Sequence, residues 1–342
     1  MSFISKQLIS WHELNGRHQL PWQQTKNPYA IWVSEIMLQQ TQVLTVINYY
    51  EKFMKRFPDI GSLAISDIDD VNKIWSGLGY YSRARNLHTT AKIIQQEHKG
   101  IFPQQFKEII EFPGIGRTTA GAICAFSYGK SYPILDGNVK RIFTRFYGIK
   151  EWSGKPKVEK ELWKIADMNL PSSDIEIYTQ ALMDLGSSLC SRGKPKCSEC
   201  PLTKSCKSFL NNWTNIIPAS KPKKLIPVKE GNILIVQYKD SILFVKRNIK
   251  QIWGGLWSLP ELENHDNLNE WLLNLLGTRK FQIINSGRCQ ANFSHYKYVM
   301  HYQHILFNKI NFKPIENFNW INKSNIQKAG LPAPIKKLLS TL

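Results

Sequence analysis

The chain has 342 residues, 42% of them hydrophobic and 21% charged, with 20 Gly and 17 Pro; this balance excludes a peptide-sized binder and a disordered or collagenous chain, and it predicts two or three domains with a buried core. Its 45 Lys and Arg outnumber 26 Asp and Glu, a formal net charge of +19, so a polyanion, nucleic acid foremost, is the first partner to consider. No run reaches the ~18 apolar residues of a membrane span and no basic-then-apolar leader opens the chain, so a soluble cytoplasmic protein with no membrane partner is expected.

Apolar residues recur at three and four spacing in 4–14, 29–50, 68–75, 84–98, 106–112, 117–126, 139–146, 157–168 and 175–190, which predicts an all-α region over residues 1–216. Residues 217–230 hold three prolines and a basic excess, the composition of an extended linker. Beyond it, the β-rich runs 232–238 and 241–247 flank Lys239-Asp240, a hairpin signal, and further strand candidates at 281–286 and 296–307 surround a helical pattern at 268–276. Residues 231–342 are therefore expected to form an α+β domain. The basic surplus is shared, with 27 basic against 19 acidic residues in 1–220 and 18 against 7 in 221–342; both parts are equipped to touch phosphate.

Four of the six cysteines, Cys190, Cys197, Cys200 and Cys206, crowd into seventeen residues, a metal-site distribution rather than a disulfide framework. Four thiolates can hold a Zn²⁺ ion or a [4Fe–4S] cluster, and ligand type alone does not decide between them. Zinc ribbons usually offer two CxxC pairs, whereas one CxxC is flanked here by lone cysteines, which favours iron and sulfur. Lys194, Lys196, Lys204 and Lys207 lie in and beside these loops, so such a cluster reads as a staple presenting cations to phosphate rather than as a redox centre.

Phe112-Pro-Gly-Ile-Gly116 separates two helical patterns. Gly114 and Gly116 let the backbone turn sharply and approach a surface, and the following helix aims unpaired N–H groups where a phosphate can sit. The segment, about 104–128, reads either as a helix-hairpin-helix element or as an ordinary turn between helices. In Leu135-Asp-Gly-Asn-Val-Lys-Arg141, Asp136 is placed to cap a helix or, in a pocket, to face a developing cation. Glu35 sits among Ile31, Val33, Ile36, Met37 and Leu38; it is either at an exposed edge or desolvated with a raised pKa, as suits a general acid.

These segments, with Leu20-Pro-Trp22, Val33 to Gln42 and Gly77-Leu-Gly-Tyr-Tyr-Ser-Arg-Ala-Arg-Asn86, strongly resemble the adenine DNA glycosylases of the MutY family, within the helix-hairpin-helix glycosylase superfamily. The match runs from about Trp11 to beyond Phe293. It implies removal of adenine mispaired with 8-oxoguanine or guanine in double-stranded DNA, with the base flipped out, by a monomer with a [4Fe–4S] cluster working on the nucleoid. The family's acid falls on Glu35, to protonate the leaving base, and its second carboxylate on Asp136, to stabilise the sugar cation or bond to it transiently. Tyr128 and Asn138 align with residues supporting these carboxylates, and Gln40 and Tyr80 with those that wedge into the base stack. Lys140 of the Asp136 segment, with Gly114, Gly116 and Thr118, is expected on the DNA.

The endonuclease III relatives carry a catalytic lysine two residues after the second hairpin glycine. Here that position is Thr118, where the adenine glycosylases more often have serine, so a monofunctional enzyme without Schiff-base chemistry is expected. The C-terminal part resembles the family's Nudix-like domain through Trp253 to Glu261, but it lacks the Arg-Glu pair and paired glutamates that hold Mg²⁺ in a hydrolase. The family's lesion-contacting Phe-Ser-His loop recurs as Phe293, Ser294 and His295, which implies recognition of 8-oxoguanine. A bifunctional endonuclease III-like enzyme and a non-catalytic DNA-binding protein are the alternative readings.

Overall fold

A computed structural model describes residues 1–222, 225–263, 267–293, 296–312 and 314–341. The chain divides into two compact units, Met1–Ile65 with Arg85–Lys223, and Ser66–Ala84 with Lys224–Leu342.

Helices build the first unit: α1 (Phe3–Asn15), α2 (Pro28–Leu38), α3 (Val43–Arg56) and α4 (Ile60–Ala64). After α5 (Ile68–Trp75), which belongs to the second unit, come α6 (Ser82–Glu97), α7 (Phe106–Ile109), α8 (Arg117–Tyr128), α9 (Gly137–Tyr147), α10 (Pro156–Met168), α11 (Ile175–Ser188) and the short α12 (Lys207–Leu210). Local chemistry sets the starts: the Ser2 side chain accepts from the Ser5 N–H at α1, and the Asn27 side chain accepts from the Tyr29 N–H at α2, which opens on Pro28. Leu8, Val139, Phe143, Leu162, Ala181 and Leu185 are fully enclosed in one core, each large side chain contributing about 1.5–3 kcal/mol of transfer free energy. The apolar periodicity over 29–50 predicts one helix, and the structure has two. Gln39 leaves the helical region and Gln40 takes φ +57°, so the ladder of hydrogen bonds stops in a run of polar residues that offers the core nothing to hold.

The second unit is built on a seven-stranded sheet of β1 (Val228–Tyr238), β2 (Ser241–Lys246), β3 (Trp257–Ser258), β4 (Glu261–Leu262), β5 (Gln282–Asn292), β6 (Lys297–Phe307) and β7 (Phe318–Asn322). The main order is β3-β2-β1-β6-β5, with β4 paired to β1 and β7 to β2. β1 and β6 run parallel in register from Val228↔Lys297 to Tyr238↔Phe307, and the other pairs are antiparallel. Two helices, α13 (Leu268–Leu276) and α14 (Ala333–Leu339), cover opposite faces. Ile233 and Ile235 face the core with α14, while Leu234 and Val236 face the one with α13. Burial on both sides explains the unbroken apolar run Ile233 to Val236 within β1. The Lys239-Asp240 turn forms as predicted, with Lys239 at φ +51°. β1 begins at Val228, inside the segment read as linker, and neither β7 nor α14 was predicted.

No helix among the described residues is long and apolar enough to cross a membrane.

Candidate active site

In the first unit, α2 is enclosed on nearly every side: Tyr29 to Ser34, Ile36 and Met37 are all buried. Glu35 is the acid on this helix, and it opens into a cavity of about 200 Å³ walled by Trp22, Ile31, Phe126 and Ile177, with Gln23 and Gln180 supplying amides. That is smaller than the ~300–1,000 Å³ of ordinary ligand clefts and suits one planar ring system. The Glu35 carboxyl has no hydrogen-bond partner among the described residues. Burial, and secondarily the charge of Asp136, push its pKa up to about 8.

Asp136 caps α9, its Oδ1 accepting from the Val139 N–H at 2.8 Å and its Oδ2 from Asn138 Nδ2 at 3.3 Å. Burial raises its pKa, opposed by these hydrogen bonds and by the positive charge of Arg141. Thr118 braces the chain just before it: its hydroxyl accepts from the Leu135 N–H at 3.2 Å. Asn138 is aimed by Arg141, whose Nη2 donates to Asn138 Oδ1 at 2.7 Å. The same guanidinium donates to the carbonyls of Gly186, at 2.6 Å, and Cys190, at 2.7 Å. Close approach requires Gly186, because a Cβ there would lie 2.5 Å from Asn138 Cβ. Tyr128 instead donates to the carbonyls of Phe102 and Pro103, at 3.3 and 3.2 Å, and its hydrogen bonds reach neither carboxylate.

Beside the cavity, Asp184 is 2% exposed. Burial alone would raise its pKa, but hydrogen bonds from His12 and from Arg17, whose Nε lies at 2.7 Å, hold it below the usual carboxylate range. Gln180 Nε2 donates to the same carboxylate at 2.9 Å, which fixes the amide on the cavity wall.

The hairpin lies between α7 and α8. Gly114 takes φ +83°, and a Cβ there would come 2.8 Å from Asn86 Cβ, whereas Gly116 faces open space. Gln40 and Tyr80 are exposed and adopt left-handed φ of +57° and +49°, a conformation that costs a side-chain-bearing residue about 1–3 kcal/mol. Lys140 is paired with Glu159 at 2.5 Å. Phe293 packs in the second unit against Tyr296 and Trp253, ring centroids at 4.7 and 6.0 Å. Ser294 and His295 lie outside the described residues.

Cys190, Cys197, Cys200 and Cys206 all line one small apolar cavity. Buried Arg145 sits against it, with Nη1 3.5 Å from Cys190 Sγ and its carbonyl 3.6 Å from Cys206 Sγ. Among the described residues no three His, Cys, Asp or Glu side chains are placed to hold a single metal ion. Burial, with the charge of neighbouring thiolates, raises Cys200 to about 11, a penalty that a bound cation would offset. Four thiols around a shared void fit a cluster better than one ion. Sequence reasoning missed Arg141 and Arg145; the cue was two arginines four apart on a core-facing helix, and their carbonyl partners are up to 72 residues away.

A glycine hairpin that opens α8, packed on the helix whose acid faces a base-sized cavity, is the arrangement expected of the helix-hairpin-helix class of repair proteins. The model of the HhH-GPD superfamily base excision DNA repair proteins matches residues 33–168, and that of the NUDIX domain matches 232–341. Adenine DNA glycosylase from Buchnera aphidicola subsp. Baizongia pistaciae is 42% identical over 98% of this chain and 95% of its own length. The human adenine DNA glycosylase is 38% identical over 59% of this chain and 38% of its own. A thermostable thymine-DNA glycosylase structure matches with a TM-score of 0.56 at 25% identity, covering 60% of this chain and 95% of that one. An endonuclease III–DNA complex shares the fold, with a TM-score of 0.53 at 17% identity over 61% of this chain and 95% of that one. The chain belongs to the adenine DNA glycosylase, or MutY, family of enzymes that hydrolyse N-glycosyl bonds.

Proposed function

We propose that this enzyme excises adenine mispaired with 8-oxoguanine or guanine from double-stranded DNA, in base excision repair, as a monofunctional glycosylase. The observation that carries the reading is Glu35, a carboxyl held protonated near neutral pH inside a cavity sized for one base. A flipped adenine seated there is walled by Trp22, Ile31, Phe126 and Ile177, with the Gln23 and Gln180 side chains also on the wall. Glu35 gives its proton to the leaving base, so the electrons of the glycosidic bond depart onto a neutral adenine. Asp136 stabilises the oxocarbenium-like sugar or bonds to it transiently, until water completes hydrolysis. Asn138 and Arg141 hold that carboxylate in place.

Position 118 offers no amine, and its hydroxyl is engaged with the Leu135 N–H; the abasic strand therefore stays intact. Gln40 and Tyr80, held outward in left-handed backbone, enter the stack beside the lesion, and Gly114 and Gly116 bring backbone N–H groups to phosphate. Lys140 adds positive charge there, tempered by Glu159. Residues 231–342, with Phe293, Ser294 and His295, read the oxidised base, and the protein acts as a monomer on the nucleoid in the cytoplasm.

The four cysteines hold a [4Fe–4S] cluster, which would supply a rigid cross-link of the 190–206 loop. Purified protein is expected to carry about four irons per chain and a broad absorbance near ~400 nm; stoichiometric zinc without iron would overturn this assignment.

A labelled duplex with adenine opposite 8-oxoguanine, beside an A:T control, tests the function. Strand scission of the lesion duplex only after alkali is the expected result. Scission without alkali would favour an endonuclease III-like lyase, and no scission at all would leave a DNA-binding protein.

A further inference from the structure

Residues Ser66–Ala84 belong to the same compact unit as the C-terminal sheet, although some 140 residues separate them in the chain. The contacts that join them are specific. Asp69, in the first turn of α5, accepts hydrogen bonds from Lys246 Nζ and, at 3.0 Å, from Trp257 Nε1. These donors are opposite one another in the β2–β3 register, and the Lys246 ammonium lies 5.1 Å from the Trp257 ring centroid. Further along, Asn72 is 2% exposed with Gly330 against it, where a Cβ would come within 3.3 Å of Asn72 Cβ. The Tyr81 hydroxyl donates to the Leu331 carbonyl at 3.3 Å.

The far end of α5 grips the loop that carries Tyr80. Trp75 Nε1 donates to the Gly79 carbonyl at 3.2 Å, and Arg83 Nη2 donates to the carbonyls of Leu78 and Gly79, each at 3.2 Å. The Arg83 guanidinium lies 5.4 Å from the Trp75 ring and 5.7 Å from the Tyr80 ring. Tyr80 itself is 53% exposed at φ +49°, a backbone that needs outside support to persist. An eight-residue helix spans about 12 Å, so α5 joins the sheet to the Tyr80 loop as one short rigid strut.

We propose that Asp69, clasped by Lys246 and Trp257, is a positioning residue through which the C-terminal sheet holds Tyr80 in its outward, stack-entering pose. The inference rests on the reading of Tyr80 as the residue that enters the stack. Asp69 and its two donors are not among the residues that line the Glu35 cavity, so the device is assigned to lesion engagement rather than to the chemical step. The sheet thereby contributes to DNA engagement through a helix that is remote from it in sequence.

The test is a double-mutant cycle in the full-length protein, on a duplex holding an uncleavable adenosine analogue opposite 8-oxoguanine, with a fluorescent base flanking the lesion. Asp69→Ala is expected to raise Kd about tenfold and to diminish the fluorescence change that reports unstacking, while Asp69→Asn, which keeps an acceptor for Trp257, restores most of both. In a Tyr80→Ala background, Asp69→Ala is expected to change Kd by less than about twofold. An equal loss with and without Tyr80, or no loss at all, overturns the inference. Should Tyr80→Ala alone leave Kd and fluorescence unchanged while adenine is still released from the normal substrate, the reading of Tyr80 falls and the inference with it. If Asp69→Ala fails to fold, Trp257→Phe, which removes one donor and keeps the ring, completes the same cycle.

Discussion

Glu35→Gln is expected to lower single-turnover adenine release by about 10²–10⁴-fold, the usual contribution of a positioned general acid. Duplex binding should change by no more than about threefold, because at neutral pH a carboxyl with a pKa of about 8 is already uncharged and Gln matches its shape. The wild-type pH profile carries the same signature: release should fall as pH rises through about 8, where the proton to be donated is lost. Stability follows the same sign. Between an unfolded value near 4.5 and about 8, the folded state holds a proton that the unfolded chain has given up. The contribution of Glu35 to stability is therefore greatest below about 4.5 and is lost as pH rises to about 8. A Gln variant lacks that decline, which denaturant melts at pH 5 and pH 9 would reveal. An unaltered release rate in Glu35→Gln would remove Glu35 from the chemistry.

Asp136→Asn separates two jobs held by one side chain. As a helix cap Asn serves as well as Asp, so the Val139 N–H keeps its acceptor and α9 stays folded. The negative charge is lost, and release should drop by about 10²–10³-fold, the scale of removing one group aimed at transition-state charge. Asp136→Ala should lose a further ~1 kcal/mol of stability through the missing cap. Asp136 also raises the Glu35 pKa, so the residual activity of Asp136→Asn should begin to fall at a lower pH than in the wild type. Equal melting temperatures for the Asn and Ala variants would contradict the capping account, and wild-type release by Asp136→Asn the catalytic one.

Much of this architecture was legible because it is encoded locally. Glu35 stands out as a charge inside an apolar helix, Asp136 as a cap followed by glycine, and the cysteines by crowding. The helical first region and the β1–β2 hairpin follow from periodicity and turn chemistry. What stayed hidden depends on distant partners. The break at Gln40 interrupts a pattern that continues on either side of it. Arg141 acquires its role from the carbonyls of Gly186 and Cys190, and nothing near it in sequence names them. Tyr128 aligns with a residue that supports the carboxylates, yet its hydroxyl goes to carbonyls at Phe102 and Pro103. Residues 68–75 are readable as an amphipathic helix, but amphipathicity does not say which core the apolar face joins.

The hydrogen bond from Tyr81 to Leu331 joins positions 250 apart in the chain. At about 5–20 residues per second, a ribosome needs roughly 12–50 s to synthesise the stretch between them. For that interval Asp69 and Tyr81 are outside the exit tunnel without Lys246, Trp257 and Leu331, the partners that fix the segment. Met1–Ile65 and Arg85–Lys223 close their own long-range contacts, Arg17 with Asp184 among them, before β1 is made. Nascent chains halted before β1 should therefore be cut preferentially between Ser66 and Ala84, and that site should close only when the C-terminal sheet has been made.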